Sequence, residues 1–485
     1  MVLEIVASRL LAPYVGVSLY TWTSIIGVVL AGVSLGAYAG GRAADRWVGA
    51  RLLGLVLLMA SAASLGVLAV DLLATALGGR WSLPTEVLVF SFSLFLLPSL
   101  CLGAVSPVAA RMALANTSRI GNTVGTIYAL GAAGSIVGTF AAGFVLIAWL
   151  GTHAIVWGVS LSLAFVGLAY TIGDRRLRRF GLAVIVAGIG VAVDGRGLRG
   201  PCERESAYYC IQLWDFTDEG EVGKALVLDR MVHSYTFPER PAKLVQGYGR
   251  VFAQVAAYRS LSTTRLRLLF LGGGGYVLPR YVEAIYPGSV IDVVEIDRAV
   301  TEIARHRLGL AQDLAIVSHH SDARVFLRRR SGEPYDIVVL DAFNDLAVPF
   351  HLTTREFARE VRRQLSEDSV YLLNVVDSRR RELTSSLVAT LSEVFRHVYS
   401  VSGGGHPQSR RTAVVLLATD TPLSELRLER ATVVAKELMD NGSDVVALSE
   451  RLRYEPRLKT SPTGRAAVLT DRYAPVDQML APVFR

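Results

Sequence analysis

Four consecutive glycines, Gly272–Gly275, follow the apolar stretch Leu266–Leu271, and a carboxylate follows each of three later apolar stretches. These carboxylates are Glu295, Asp322 and Asp341. Glycine lets a backbone approach a ligand closely and adopt positive φ, and the carboxyl ends of parallel strands meet at one edge of a sheet. We therefore expect the glycine loop and the three carboxylates to converge on one ligand.

The glycine pattern limits what that ligand can be. A dinucleotide fingerprint matches Gly272 and Gly274 but needs a third glycine where Val277 stands, and no G-K-[ST] phosphate loop follows. A carboxylate at Glu295 is placed to accept both hydroxyls of a ribose, and one at Asp322 could accept from an adenine amine. The set favours a nucleoside without a pyrophosphate, such as S-adenosylmethionine or its decarboxylated form. Any one of these carboxylates could instead cap a helix or lie solvated in a loop.

Strands and helices alternate from Arg265 onward, which predicts an α/β domain with a doubly wound parallel sheet. The predicted strands are Leu266–Leu271, Val290–Ile296, Ile316–His319, Asp336–Leu340, Val370–Val375 and Thr412–Ala418. The predicted helices are Val277–Ile285, Ala299–Arg307, Ala323–Arg330, Thr354–Leu365 and Glu382–Phe395. Ahead of them, residues 207–234 alternate around the turn TDEGEVG, which predicts a small antiparallel β-unit.

The first 196 residues are dominated by long apolar runs, and the whole chain of 485 residues is 52% hydrophobic and 19% charged. Five runs reach the roughly 20 residues that span a bilayer: Val15–Gly40, Leu52–Leu77, Val87–Leu114, Ile120–Leu150 and Ala154–Ile172. Phe180–Val193 covers only about 21 Å as a helix, so it could be a short span, an interfacial helix or a re-entrant segment. The glycine pairs Gly121/Gly125 and Gly134/Gly138 predict close helix packing, with a glycine-lined permeation path as the alternative. The abrupt apolar start suggests that the natural N-terminus lies upstream of Met1.

Arginine-rich connections alternate with nearly uncharged ones, which predicts a multi-pass protein of the plasma membrane with the arginines in the cytoplasm. Such connections, rather than nucleic-acid binding, account for the net charge of +8. The side of the membrane on which the C-terminal domain lies depends on whether Phe180–Val193 spans the bilayer. The sequence leaves this question open. Cys202 and Cys210 could pair in an oxidising compartment or stay reduced. No Cys/His cluster is present that would predict a metal site.

Several motifs resemble the spermidine synthase (polyamine aminopropyltransferase) family: LGGGGYVLPRYVEAIYPGSVIDVVEIDRAV, SDARVFL and YDIVVLDAF, with the β-unit before them. SRLLAPYVG, GGRAADR, GTIYALGAAGSIVGT and LTDRYAPVDQML resemble the branch in which a multispan domain precedes the synthase domain. The resemblance implies a transmembrane helical bundle over residues 1–196, a β-unit and connector over 197–262, and a Rossmann-like, methyltransferase-type domain over 263–485.

The resemblance also implies a reaction, the transfer of an aminopropyl group from decarboxylated S-adenosylmethionine to putrescine or another polyamine, without a metal. A carboxylate at Asp341 would take the proton that the amine must lose. The nucleoside would be held by Gly272, Gly273, Gly274, Glu295 and Asp322, and the amine by His233 and Asp345. The expected partners are the polyamine and the lipid bilayer, with a homodimer left open and no nucleic acid.

The chain departs from the family pattern at four positions. Gly275 stands where the family usually has Asp, Tyr276 where it has Gly, Asn344 at the second acidic position after strand four, and His233 in place of a Gln. Fewer carboxylates weaken a site for a polycation, so two further functions stay open: an S-adenosylmethionine-dependent methyltransferase, and a non-catalytic polyamine sensor or transporter. His233 could be a second base or a surface residue of the β-unit.

Overall fold

The computed structural model describes residues 1–47, 49–114, 120–171, 173–193, 200–312, 315–343, 348–404, 411–442, 445–455 and 466–480. The chain divides into two compact units, Met1–Gln212 and Leu213–Arg485. The finer division predicted from the sequence, with boundaries after residues 196 and 262, stays a prediction.

The first unit is built mainly of α-helices, as the apolar runs predict. Within the described residues, five helical segments are long and apolar enough to cross a membrane: Leu19–Arg46, Ala50–Leu77, Leu83–Leu114, Ile120–Leu146 and Thr152–Tyr170. The helices are α1 (Val2–Val15), α2 (Leu19–Arg46), α3 (Ala50–Gly66), α4 (Val70–Leu77), α5 (Leu83–Leu114), α6 (Ile120–Ala141), α7 (Ile147–Leu150), α8 (Thr152–Tyr170) and α9 (Arg175–Val193). A 3₁₀ turn (Val67–Ala69) and a π-helical turn (Ala142–Leu146) join consecutive helices.

Glycines allow α2 and α5 to pack closely. A Cβ atom at Gly36 would collide with the backbone oxygen of Leu100, and one at Gly103 would collide with the backbone oxygen of Val33. A Cβ at Gly40 would lie 2.7 Å from Cα of Ala104. The helices therefore touch backbone to backbone, the contact that small residues permit in membrane helices.

The close packing predicted for the glycine pairs of α6 is absent at Gly121, Gly125 and Gly134 within the described residues and is found only at Gly138. A Cβ at Gly121, Gly125 or Gly134 would meet no described atom within 4 Å, and one at Gly138 would meet only the side chain of Val2. The small-xxx-small spacing is present in α6, but this helix lies against few neighbours, and the close contacts form between α2 and α5 instead.

The predicted antiparallel β-unit is present as a four-stranded sheet of order β1-β2-β3-β4. Its strands are β1 (Arg204–Glu205), β2 (Cys210–Asp218), β3 (Glu221–Leu228) and β4 (Met231–Thr236). The boundary between the two compact units falls inside β2. Cys202 and Cys210, left open by the sequence, form a disulfide at the start of this sheet.

The second unit contains an eight-stranded mixed sheet of order β12-β10-β11-β9-β8-β5-β6-β7. Its strands are β5 (Arg267–Leu271), β6 (Val290–Val294), β7 (Ile316–His319), β8 (Tyr335–Leu340), β9 (Leu365–Ser378), β10 (His397–Gly404), β11 (Arg411–Thr419) and β12 (Arg453–Tyr454). Strands β5 to β9 pair in parallel, and their nearly continuous apolar runs fit burial on both faces. The Rossmann-like fold class is confirmed.

The prediction of a wholly parallel sheet is wrong at one edge. Strand β11 pairs antiparallel with β9 and with β10. Because β11 follows β10 in the chain and lies beside it, the chain reverses direction there instead of crossing over. Strands β10 and β12 were not predicted from the sequence.

Helices of the second unit flank the sheet, and several begin at side-chain caps. They are α10 (Gly247–Ser260), α11 (Val277–Ile285), α12 (Arg298–Arg307), α13 (Ala323–Arg329), α14 (Arg355–Arg362), α15 (Glu382–Leu391), α16 (Glu425–Leu438), α17 (Leu448–Arg451) and α18 (Val476–Leu480). Asp297 accepts a hydrogen bond from Ala299 N–H at the start of α12, and Thr354 accepts one from Phe357 N–H at α14. Such caps contribute about 1 kcal/mol each. The four helices α10, α16, α17 and α18 were not predicted.

Substituting Gly36 tests the α2–α5 packing. Gly36→Ala places a methyl group against the Leu100 carbonyl, which cannot move without shifting α5, so we expect a loss of about 1–3 kcal/mol in stability. Gly41→Ala is the matched control on the same helix, because a Cβ there meets no described atom within 4 Å. Thermal aggregation of the detergent-solubilised full chain, followed by size-exclusion chromatography, measures both; equal midpoints for the two variants would contradict the packing.

Candidate functional site

The glycine loop begins where β5 ends and turns sharply towards α11. Gly272 has φ +107° and Gly274 has φ +47°, values that favour glycine. The Gly272 N–H donates to the Val294 carbonyl at 2.9 Å. A Cβ at Gly272 would collide with the backbone oxygen of Asp341. Glycine at this position therefore lets the ends of β5 and β8 approach each other.

Glu295 holds the glycine loop in place. One carboxylate oxygen accepts from the N–H groups of Gly273 at 2.9 Å and Gly274 at 3.3 Å, and the other accepts from Asp297 N–H at 2.9 Å. Burial raises the pKa of Glu295, and these three backbone N–H groups oppose the rise. The carboxylate thus links the ends of β5 and β6.

Tyr276 follows the loop in the left-handed conformation, with φ 56° and ψ 26°. For an L-residue this conformation costs about 1–2 kcal/mol. The Tyr276 side chain is fully buried, and its hydroxyl hydrogen-bonds to Thr301 Oγ1 at 2.9 Å and Ser318 Oγ at 3.0 Å. Two hydrogen bonds of about 1 kcal/mol each, with the buried ring, offset the backbone cost.

Asp341 lies at the end of β8, beside the loop. Its carboxylate accepts from Asn374 Nδ2 at 3.0 Å and from the hydroxyl of Tyr248. Burial raises the pKa of the Asp341 carboxyl, while the bonds from Asn374 and Tyr248 lower it. The same burial, followed by the charge of Asp341, raises the pKa of Tyr248 well above its usual value. The pair therefore comprises a hydroxyl donor and an accepting carboxylate.

Tyr248 and Asn374 were missed by the sequence reasoning. Asn374 is positioned by strand register, since β8 and β9 pair Leu340 with Leu373 and the next residues, Asp341 and Asn374, become neighbours. The sequence feature that could have identified Asn374 is its amide side chain inside an otherwise apolar strand. Tyr248 lies on α10, a helix that was not predicted, and no local motif identified it.

A cavity of about 150 Å³ lies between the glycine loop and the first four residues of β4, Met231–Ser234. It is lined by Met231, Val232, His233, Ser234, Gln246, Tyr248, Phe270, Gly272, Gly273, Gly274, Gly275, Leu278, Pro279, Asp341, Phe343, Asn374, Val376 and Ala413. Among these described lining residues, Asp341 is the one carboxylate. Burial lowers the pKa of His233 to about 4, so its imidazole is neutral at pH 7. The structure thus gathers Gly272–Gly274, His233 and Asp341 around one space.

Glu295 and Asp322 do not line this cavity among the described residues. Asp322 caps α13, accepting from the N–H groups of Arg324 at 2.9 Å and Val325 at 3.0 Å, and its second oxygen lies 3.0 Å from His351 Nε2. Burial acts to raise the pKa of Asp322, but these hydrogen bonds outweigh it and the pKa is lowered. The assignments of Glu295 and Asp322 to ribose and adenine stay predictions. Asn344 and Asp345 lie outside the described residues.

Ser234 occupies the space beside Gly275. The Gly275 N–H donates to Ser234 Oγ at 3.0 Å, and a Cβ at Gly275 would collide with that hydroxyl. An aspartate at position 275 would therefore require the serine hydroxyl to move. Gly275, where the resemblance leads us to expect an acid, therefore fits against Ser234 without a side chain of its own.

Comparison with curated proteins gives the family. Over 214 residues the chain is 30% identical to the polyamine aminopropyltransferase of Vibrio vulnificus (strain CMCP6), a match that covers 44% of this chain and 69% of the relative. The chain belongs to the polyamine aminopropyltransferase family. A probable polyamine aminopropyl transferase of Bifidobacterium longum (strain NCC 2705) is 23% identical over 283 residues, or 57% of this chain and 61% of that relative.

Other similarities extend to methyltransferases. The eEF1A lysine and N-terminal methyltransferase of Mus musculus is 31% identical over 148 residues, or 29% of this chain and 21% of its own length. Among solved structures, a probable spermidine synthase from Corynebacterium glutamicum ATCC 13032 aligns with a TM-score of 0.44 and 24% identity over 52% of this chain and 88% of its own. A scan against protein-family models finds no match.

Membership of the polyamine aminopropyltransferase family makes this chain a transferase. At two of the positions that depart from the resemblance, the structure shows local features: Tyr276 has a positive φ, and the hydroxyl of Ser234 lies against Gly275.

Substituting Gly272 tests whether the close approach of β5 and β8 requires a residue without a side chain at this position. Gly272→Ala combines a strained φ with a collision against the Asp341 backbone, and we expect it to destabilise the chain by about 1–3 kcal/mol more than its control. The control, Gly288→Ala, has a similar backbone cost at φ +83°, but the nearest atom to its Cβ is Arg265 Nε at 4.0 Å. Thermal unfolding followed by circular dichroism compares them; equal losses would refute the close approach of β5 and β8.

Proposed function

We propose that this chain is a membrane-bound aminopropyltransferase that transfers the aminopropyl group of decarboxylated S-adenosylmethionine to putrescine or another polyamine. The observation that carries the proposal is the Asp341 carboxylate, buried beside the glycine loop and hydrogen-bonded by Tyr248 and Asn374. A carboxylate positioned beside a cavity is a group that can take the proton of an amine nucleophile. The family membership supports the same reaction class.

The reaction needs one bond to form and one to break. The neutral amine nitrogen attacks the carbon next to the sulfonium, and the electron pair of the carbon–sulfur bond moves to sulfur. Methylthioadenosine leaves as a neutral thioether, and the new ammonium gives its extra proton to Asp341, which passes it to solvent. Holding the amine and the sulfonium carbon together supplies much of the acceleration.

The donor would be placed by the glycine loop and the two carboxylates at the ends of β6 and β7. A loop whose side chains are hydrogen atoms can approach the adenosyl group closely. Glu295 already accepts three backbone N–H groups, out of roughly four acceptor positions on a carboxylate. A ribose hydroxyl would take the remaining position, on the oxygen that bonds Asp297. Asp322 would accept from the adenine amine.

The acceptor would lie between Asp341 and Asn374. Asn374 Oδ1 is buried and has no hydrogen-bond partner among the described residues, so it is free to accept from an amine N–H. His233, with a pKa of about 4, adds no positive charge that would repel a cationic amine. Asp345 stays a proposed contact for the second amino group.

The membrane part of the proposal rests on the five long apolar helical segments of the first unit. A helix needs about 20 residues to cross the roughly 30 Å thickness of the hydrocarbon core. Four of the five have 27 or more residues, and Thr152–Tyr170 has 19. We infer a multi-pass location in the plasma membrane.

A methyltransferase is the second candidate, because Asp341 is the one carboxylate among the described cavity residues. A site with a single carboxylate binds a dication less strongly than a site with several, and suits an acceptor with less charge. Such an enzyme would release adenosylhomocysteine instead of methylthioadenosine. A polyamine sensor or transporter would bind the nucleoside and release neither product.

Product analysis separates these functions. The purified full chain in detergent is incubated with decarboxylated S-adenosylmethionine or S-adenosylmethionine and a panel of amines, and products are followed by mass spectrometry. We expect methylthioadenosine, with a loss of about 10²–10⁴-fold in kcat for Asp341→Asn because the proton acceptor is removed. Asp440→Asn, a change in a surface ion pair with Arg240, is the control and should retain activity. Adenosylhomocysteine, or no product with nucleoside bound, would reject the proposal.

The pH profile tests the contact between Tyr248 and Asp341. Only ionised Asp341 can take the proton, so kcat/KM should rise with pH through the raised pKa of this carboxyl. Tyr248→Phe removes a donor that stabilises the charged form, so the acidic limb should move to higher pH. Tyr276→Phe also removes a buried hydroxyl but does not contact Asp341; its acidic limb should match the wild type. A Tyr248→Phe profile identical to the wild type would show that the contact does not tune the base.

A further inference from the structure

The arginine-rich ends of the helices in the first unit lie on one face. Arg111, at the end of α5, pairs with Asp45, at the end of α2, with Nε and Oδ1 3.6 Å apart. A Cβ at Gly54, near the start of α3, would collide with the Thr171 side chain that follows α8. Two helix ends and the α2–α3 and α8–α9 connections therefore meet here. The described basic residues of this face are Arg42, Arg46, Arg51, Arg111, Arg175, Arg176, Arg178 and Arg179.

The opposite ends of the same helices form a face with fewer arginines, although Arg9 of α1 donates to the Ser206 carbonyl at 2.7 Å on this side and Arg204 lies in β1. Helix α8 starts there at Thr152, and its 19 residues separate the two faces by about 28 Å. The connection between α4 and α5 also lies at this end and carries Arg80 as its one basic residue. Under the positive-inside rule the arginine-rich face is cytoplasmic, and the face at Thr152 is not.

Helix α9 starts on the arginine-rich face and packs along α8 and α3. A Cβ at Gly181 would collide with the side chain of Leu168, near the end of α8, and would lie 2.9 Å from Leu58 Cδ2 of α3. The 19 residues of α9 extend about 28 Å. Its apolar part is shorter than the hydrocarbon core, but the arginines of its first turns can extend towards the interface.

The residues that follow α9, from Gly200 onward, lie at the start of α8, opposite the arginine-rich face. The Glu205 carboxylate accepts from Thr152 N–H at 2.7 Å and from the Thr152 hydroxyl at 2.9 Å. A Cβ at Gly200 would lie 3.1 Å from the ring of His153. The chain therefore passes from the arginine-rich face at Arg175 to the opposite face by Gly200.

The Cys202–Cys210 disulfide lies in this segment. Disulfides persist in oxidising compartments and are rare in the cytosol. This chemistry is independent of the arginine distribution, and both identify the same face as non-cytoplasmic.

We propose that α9 crosses the membrane as an additional span and that the transferase unit, which follows from Gln212, lies on the non-cytoplasmic side. The proposal rests on the membrane insertion inferred above and decides between the two locations that the sequence left open. The sulfonium donor is a cation, and a charge crosses hydrocarbon at high cost. A transport step must therefore deliver the donor to this enzyme.

Site-directed labelling of the full chain tests the proposal. One test cysteine at a time is added to the Cys101→Ala chain, which keeps the Cys202–Cys210 disulfide. The test cysteines are Glu429→Cys, on the exposed surface of α16, and Gly173→Cys, at an exposed position before α9. Spheroplasts of a bacterial host are treated with a membrane-impermeant maleimide before or after lysis. We expect Glu429→Cys to be labelled equally in both, and Gly173→Cys to be labelled only after lysis. Glu429→Cys labelled only after lysis, or Gly173→Cys labelled before it, would overturn the proposal.

The native cysteines give a second measurement. In denatured extracts of the Cys101→Ala chain, we expect no alkylation of Cys202 and Cys210 without reductant and two alkyl groups after reduction. Alkylation without reductant would overturn the proposal, and so would release of the chain from membranes by alkaline carbonate. The methylthioadenosine assay in detergent does not depend on sidedness, so failure of the topology and failure of the proposed catalysis are distinguished.

Discussion

The close approach of the Gly272 backbone to the Asp341 backbone is the constraint on which the candidate site depends. Strand β5 lies between β8 and β6, and Leu271 pairs with Leu340 on one side and Val294 on the other. A side chain at position 272 would push the end of β8 away from β5. The carboxylate of Asp341 would then leave its position beside the glycine loop, and its hydrogen bonds to Asn374 and Tyr248 would be lost.

Much of the sheet could be predicted from the sequence because buried parallel strands are continuous apolar runs. Strand β7 and helix α11 have the predicted bounds, and β5, β6 and β8 differ by one or two residues. The glycine loop was found for the same reason, since it directly follows such a run. Only contacts within a short stretch of chain were needed for these predictions.

The rest depends on contacts between distant residues. Helix α10 buries most of its residues, including Gln254 and Arg259, so it shows no alternation of polar and apolar faces and was missed, with Tyr248 on it. Asn374 acquires its role only through the pairing of β8 with β9. In the first unit, small-xxx-small spacings occur in α6 as well as in α2 and α5, and the sequence does not reveal which helix faces are covered.

The glycine loop is fixed by the protein itself before any ligand binds. Glu295 holds its N–H groups, Ser234 holds Gly275, and the hydroxyl of Tyr276 joins it to α12 and β7. The entropy cost of ordering this loop is therefore part of folding and not of ligand binding. A ligand that enters the cavity keeps more of its contact energy as affinity, and the departures from the family pattern at Gly275 and Tyr276 leave the loop preorganised.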